Sequence, residues 1–296
     1  MDFRTDLTFD YGTADQVSPL IRRVIAQNPG PFTFTGTGTY IVGHGEVAVI
    51  DPGPADNDHI LALMAALEGE TVSHILITHT HLDHSPAAAA LQNLTGAETY
   101  GFGPHGAGKL MQGIVVEEGG DMDFVPDIKL KGGETLSGDK WTLEAIYTPG
   151  HTSNHLCFAL KEEAAVFTGD HIMGWSTTVI APPDGDMSAY LNSLALLVQR
   201  DDAVYWPTHG PCIDTPKDFA SSLIAHRHAR EQDILNALKD GRSTIAEMVP
   251  AIYKDLDPSL YPAAGLSVFA HLIHLKEKNI IVSAGEFDMS ADFKLS

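Results

Sequence analysis

Residues 77–86 read ITHTHLDHSP and place three histidines and an aspartate, His79, His81, Asp83 and His84, within six positions. Such a run does nothing obvious for a packed core. Imidazole and carboxylate are donors that zinc and related transition metals accept. On an extended segment, positions i and i+2 point to one side, so His79 and His81 can grip one cation together. Asp83 and His84 follow after a turn, face elsewhere, and suit a second cation nearby. The spacing is not the i, i+4 pair of a helical HExxH site. Three more segments end in the same residue types: TPGH with His151, TGDH with Asp170 and His171, and PTHG with His209. One cation does not use four adjacent residues and three more, whereas two cations account for the number.

These residues need rigid elements to bring them together. TYIVGHGEVAVI, residues 39–50, predicts two strands joined at Gly-His-Gly, and residues 57–68 predict a helix with one apolar face. SHILIT is a short strand ending at the motif. Ser85 is placed as an N-cap and Pro86 as the first residue of a helix over AAAALQNL. WTLEAIY, HLCFAL, EAAVFTG and DAVYWP are further strands, each running into a loop that carries histidine or aspartate. Convergence of strand ends is the geometry of a layered α/β site. From Lys217 the pattern changes to a long helix over 218–239, a capped helix in GRSTIAEMVPAIY that Pro250 kinks or ends, and a helix from Tyr261 followed by a short strand. Three helices and a closing strand suggest a winged helix. The expected division is 1–216, 217–284 and a tail, 285–296.

At this point the chain resembles the metallo-β-lactamase-fold hydrolases. THTHLDH is similar to their HxHxDH signature, and TPGHTSNH, FTGD and PTHGP match the remaining motifs. The resemblance implies a four-layer αββα sandwich. It implies that His79, His81 and His151 hold one metal, that Asp83, His84 and His209 hold the other, and that Asp170 bridges them. Asp51, in VIDPGP, would orient these residues rather than bind metal. Asp83 would hold and pass a proton. Two divalent cations, zinc above others, lower the pKa of a shared water and make hydroxide available near neutrality for attack on a carbonyl carbon or a phosphorus. Residues 28–282 further resemble the branch with a C-terminal winged helix, which includes the animal β-lactamase-like endoribonuclease. Gly38 stands where that branch often has Asn, and Thr208 where it often has Gly.

Other histidines have humbler expectations. His155 either lines the pocket or packs under it. His171 touches the metal-binding residues rather than metal. His271 and His274 are core or surface residues, and Arg227 and Arg230 lie on a solvated helix face.

The 296 residues carry 18 Lys+Arg against 39 Asp+Glu, a net charge of −21. Residues 217–296 hold nine and eleven of these, so about −19 falls on the first region. That acidity argues against a surface built to grip phosphate backbones. The two cysteines, Cys157 and Cys212, are too few for a disulfide framework. MDFRTDLTFDYG has no apolar core of a signal peptide, and no apolar run spans a bilayer, so a cytoplasmic protein is expected. The favoured substrate is a small ester, thioester, lactone or amide. Single-stranded RNA is the alternative. Weak β-lactam hydrolysis and a DNA-binding regulator rank lower, because the last helix carries only Lys276 and Lys278 as cations near its end. A homodimer through the winged helix is compatible with this reading.

Overall fold

Strand β4, Glu46–Ile50, shows how the sequence builds its layers. Side chains alternate across a strand. Val47 and Val49 face one apolar cluster, while Ala48 and Ile50 face another. Both faces are therefore buried, as the unbroken run of apolar residues requires. The computed structural model describes residues 3–106 and 119–296.

A seven-stranded sheet runs in chain order: β1 (Ala14–Ser18), β2 (Ile21–Ile25), β3 (Gly38–Val42), β4, β5 (Thr71–Leu76), β6 (Glu98–Gly101) and β7 (Ile128–Lys129). The first four are antiparallel, and from β4 onward the pairing is parallel. Gly43, His44 and Gly45 join β3 to β4, as expected. Helices α1 (Asn57–Ala66) and α2 (Ala87–Thr95) connect the parallel strands, and Leu63, Ala88 and Leu91 pack on the outer face.

The second sheet holds β8 (Thr135–Gly138), β9 (Trp141–Tyr147), β10 (Leu156–Leu160), β11 (Ala165–Gly169) and β12 (Val204–Pro207), in the order β12-β11-β10-β9-β8. Leu156, Phe158 and Leu160 point to the first sheet, and Cys157 and Ala159 point to the other side. There α3 (Met187–Val198) and the start of α4 (Pro216–Lys239) cover them. The four layers are helix, sheet, sheet, helix.

A separate core joins the end of α4 to α5 (Ile245–Ile252), α6 (Tyr261–Glu277), β13 (Ile281–Ser283) and β14 (Phe293–Leu295). Thr244 and Glu247 form a capping box at the start of α5, which ends two residues after Pro250. Residues 285–296, set apart above as a tail, supply β14. It pairs antiparallel with β13 and buries Phe293 in this core.

Two local expectations change. Ser85 does not cap α2: its hydroxyl donates to Asp121 Oδ2 at 2.7 Å, and no amide of the helix donates to it. The helix starts at Ala87, with Pro86 at the cap position. Arg227 is not on a solvated face but is 3% exposed. Arg230 is half-buried, with its guanidinium 4.2 Å from the Tyr253 ring centre and an ion pair to Asp233.

Candidate metal centre

The five strand ends β4, β5, β9, β11 and β12 open toward one place. β5 runs into His79, His81, Asp83 and His84; the loop after β9 carries His151; Asp170 directly follows β11; His209 stands two residues after β12. The structure brings all seven residues together, and none is more than 9% exposed. Three overlapping triples have donor atoms within 4.8 Å of one another: His79, His81 and His151; His79, His84 and Asp170; and Asp83, His84 and His209. The first and third match the two sets expected from the sequence, and Asp170 lies between them. Its carboxylate oxygens are 3.5 Å from His84 Nε2 and 3.4 Å from His209 Nε2.

Outward contacts fix how these rings face. His84 Nδ1 donates to Asp51 Oδ2 at 2.9 Å, His151 Nδ1 to the Val179 carbonyl at 2.8 Å and His209 Nδ1 to the Gly36 carbonyl at 3.2 Å. Thr78 Oγ1 spends its proton on Asp51 Oδ2 at 2.7 Å, so it accepts from His79 Nδ1 at 3.1 Å. Four imidazoles are thus held from outside, with their Nε2 atoms turned inward. His79 Nε2 and His151 Nε2 stand 3.0 and 3.2 Å from His81 Nδ1. Buried nitrogens this close either share a proton or converge on a common cation. His84 Nε2 and Asp170 Oδ1 likewise lie buried without a hydrogen bond. The residues present therefore fit divalent metal.

A family model described as the metallo-beta-lactamase superfamily matches residues 33–209. The chain belongs to the metallo-β-lactamase superfamily of hydrolases. A second model, the beta-lactamase associated winged helix domain, matches residues 244–289. An atrochrysone carboxyl ACP thioesterase of Cryptosporiopsis sp. is 34% identical over 77% of this chain and 66% of its own length, so the chain spans just under two thirds of it. A protein of the same name from Aspergillus fumigatus is 31% identical over 82% of this chain and 76% of its own. The beta-lactamase-like protein 2 homolog of Caenorhabditis elegans is 32% identical over 81% and 79%. In fold, the chain is similar to a metallo-beta-lactamase family protein of Thermus thermophilus, with TM-score 0.77, 22% identity and coverage of 95% and 100%. It is also similar to a beta-lactamase domain protein of Burkholderia ambifaria, with TM-score 0.80, 19% identity and coverage of 98% and 96%.

Within this superfamily fold, charge is balanced inside the site. Burial first, and then the neighbouring imidazoles, push His79 and His81 well down. Burial would lower His84 and His209 too, but carboxylates outweigh it: Asp83, Asp170 and Asp51 raise His84 well up, and Asp170 and Asp83 raise His209 to about 10. Burial would raise the carboxyls of Asp83 and Asp170, yet His84 and His209 hold both down.

Asp51 is the hub beneath this balance. It is fully buried, and its φ of 48° lies in the left-handed region. Besides His84, it accepts from the Thr78 amide at 2.8 Å, the Thr78 hydroxyl and the Thr208 hydroxyl at 3.2 Å. Thr208, the departure noted in the sequence, therefore ties β12 to Asp51. Gly38, the other departure, donates its amide to the Thr208 carbonyl at 2.9 Å. A Cβ there would stand 3.1 Å from that oxygen.

His155 packs under the site rather than lining a pocket: it is fully buried, stacks 5.1 Å from His79, and its Nε2 accepts from the Asp170 amide at 3.3 Å. His171 is also fully buried, its ring 4.7 Å from that of Tyr190, and burial lowers it to about 3. Sequence reasoning missed Thr37. Its hydroxyl accepts from Asn28 Nδ2 at 3.0 Å and donates to Asp83 Oδ2 at 3.1 Å. Only the glycine-spaced TGTGT run hints that Thr37 sits in a tight loop near chemistry.

Proposed function

We propose that this chain is a dinuclear metallo-hydrolase of a small thioester, with esters, lactones and amides as chemical neighbours. His79, His81 and His151 would hold one ion, Asp83, His84 and His209 the other, and Asp170 would lie between, with zinc the expected metal. The observation that carries the reading is the seven-residue buried cluster with its inward-facing nitrogens. The relatives named thioesterases, at 34% and 31% identity, support the choice of bond. When bound, such ions supply Lewis acidity and an activated water.

The chain's own residues do the rest. Asp51 and the Val179 and Gly36 carbonyls orient the imidazoles. Asp83 Oδ2, 3.1 Å from His209 Nε2 and 3.3 Å from His84 Nε2, is kept unprotonated near neutrality. It is therefore placed to accept a proton from a nucleophilic water and return it to a leaving thiol. Thr37 fixes the plane of that carboxylate with one hydroxyl proton.

Metal analysis of the purified protein should return about two ions per chain. A panel of thioesters, lactones, β-lactams and single-stranded RNA, with Asp83→Ala as the blank, then tests the substrate class. Turnover of RNA alone, lost in the variant, would replace a thioester with a phosphodiester. Full turnover after complete chelation would overturn the metal assignment.

A further inference from the structure

Val179 aims His151. Its carbonyl accepts from His151 Nδ1 at 2.8 Å, which leaves His151 Nε2 3.2 Å from His81 Nδ1. Val179 lies between β11 and α3, in residues 170–186, where no strand or helix ladder fixes the backbone. Other groups must hold such a segment in place. Thr178 supplies one anchor, because its hydroxyl donates to the Asp170 carbonyl at 2.7 Å. Arg227 of α4 supplies a second. One of its guanidinium nitrogens donates to the Thr178 carbonyl, one residue before Val179.

The same guanidinium lies over the Tyr190 ring, 5.2 Å from its centre. Tyr190 belongs to α3, and α3 braces the other side of the loop that carries His151. The Asp186 amide donates to the Gly150 carbonyl at 2.8 Å, and the Ser193 hydroxyl donates to the Pro149 carbonyl at 2.8 Å. Gly150 lies so close to Tyr190 that a Cβ on it would overlap the Tyr190 backbone. Arg227 therefore meets two residues, Thr178 and Tyr190, that adjoin the two supports of His151. It is 3% exposed, and among the described residues no carboxylate pairs with it. Burying a guanidinium without a counter-charge costs free energy that an apolar side chain of the same length would not. Packing alone does not account for it, whereas a fixed donor at Thr178 does.

We propose that Arg227 is a positioning residue for the metal centre: from α4 it fixes the Thr178 carbonyl and the Tyr190 ring, and through Val179 and Gly150 it sets the His151 ring. The inference rests on the assignment of His151 to a metal-binding set and deepens it. His84 and His209 take their outward bonds from Asp51 and Gly36, neither of which bonds Arg227. The effect therefore falls on the set of His79, His81 and His151.

The test uses the full-length protein, first metal-free and then titrated with cobalt followed by visible absorption. In the metal-free protein, nitrogen–proton NMR of the imidazoles should show the His151 Nδ1 proton. Arg227→Met should lose that signal to solvent exchange while the His209 Nδ1 proton stays. On titration, His151→Ala identifies the cobalt step that belongs to the three-histidine set. Arg227→Met should weaken that step about tenfold, the low end for a group behind a metal-binding histidine, and leave the other step unchanged. Arg227→Lys keeps a donor for Thr178 but no planar face for Tyr190, and should weaken the same step by a smaller factor. Arg230→Met removes the neighbouring arginine, which meets Tyr253 and Asp233 instead, and should change neither step. An unchanged His151 step, equal weakening of both steps, or the same loss in Arg230→Met would overturn the proposal. Wild-type protein that takes up no cobalt would sink the metal reading instead, and the His151 proton then decides the positioning role on its own.

Discussion

At the residue scale, the site depends on side chains that never meet the substrate. Asp51 fixes His84, and both are fully buried. Asp51→Asn keeps the volume but loses the charge that holds the imidazole. We expect metal affinity to fall roughly 10–100-fold, read by competition with a chromogenic chelator. Unchanged affinity would show that Asp51 serves only the backbone turn. Gly38 and Thr208 depart from the pattern as a touching pair. Gly38→Asn would press a Cβ against the Thr208 carbonyl and, at 3.2 Å, against Arg23 Cδ. It should cost about 1–3 kcal/mol of stability by thermal or chemical melting. The clustered histidines and aspartates were legible because four of them share six positions and the others follow strands. The hydroxyl contacts of Thr37, Thr78 and Thr208 were not, because a threonine hydroxyl leaves no spacing signature. Arg227 was misread, although the signal existed. It lies on the stripe of Ala220, Leu223, Ile234 and Ala237, at i+4 from Leu223, as Glu231 does at i+8. A charge on an apolar stripe points inward to a partner or a ligand.

At the element scale, strands with both faces buried were easy to recognise, since TYIV in β3, VAVI in β4, LCFAL in β10 and AVFT in β11 are unbroken stretches of apolar and β-branched residues. The hairpin of β1 and β2 was missed because Arg22 and Arg23 interrupt its pattern. Both arginines have specific partners or burial: Arg22 bonds Glu70 at 2.6 Å, and Arg23 is 5% exposed. Strand β14 was missed because FKL is short and follows a polar stretch. Only its pairing with β13 reveals it. Its weight is testable. Phe293→Ala should destabilise the protein by about 3–5 kcal/mol and should strip protection from α5 and α6 amides in hydrogen exchange. A loss below about 0.5 kcal/mol would make the last strand ornamental.

At the scale of the whole molecule, stability should depend on acid. Burial lowers His59 to about 4, and His271 is lowered to about 4 for the same reason. Both bind protons more readily unfolded, near 6.5, than folded. Their neutral forms support the fold fully above about pH 6.5, and that support is lost as pH falls toward 4. For His59, which is 3% exposed, the loss is on the order of 3 kcal/mol at pH 4. His59→Gln should flatten the fall of Tm between pH 6.5 and 4, and an unchanged slope would remove His59 from the account. The winged helix also shapes the whole. α4 begins in the core beneath the second sheet, with Ala220 and Leu223, and ends in the winged-helix core, with Ile234 and Ala237. One helix is thus common property of two cores. The consequence falls on recombination: a chimera joined before α4 strands one hydrophobic face, and one joined after it strands the other. Grafting this C-terminal unit onto another catalytic sandwich therefore demands a compatible α4 on both faces, so the unit and its host have to diverge together.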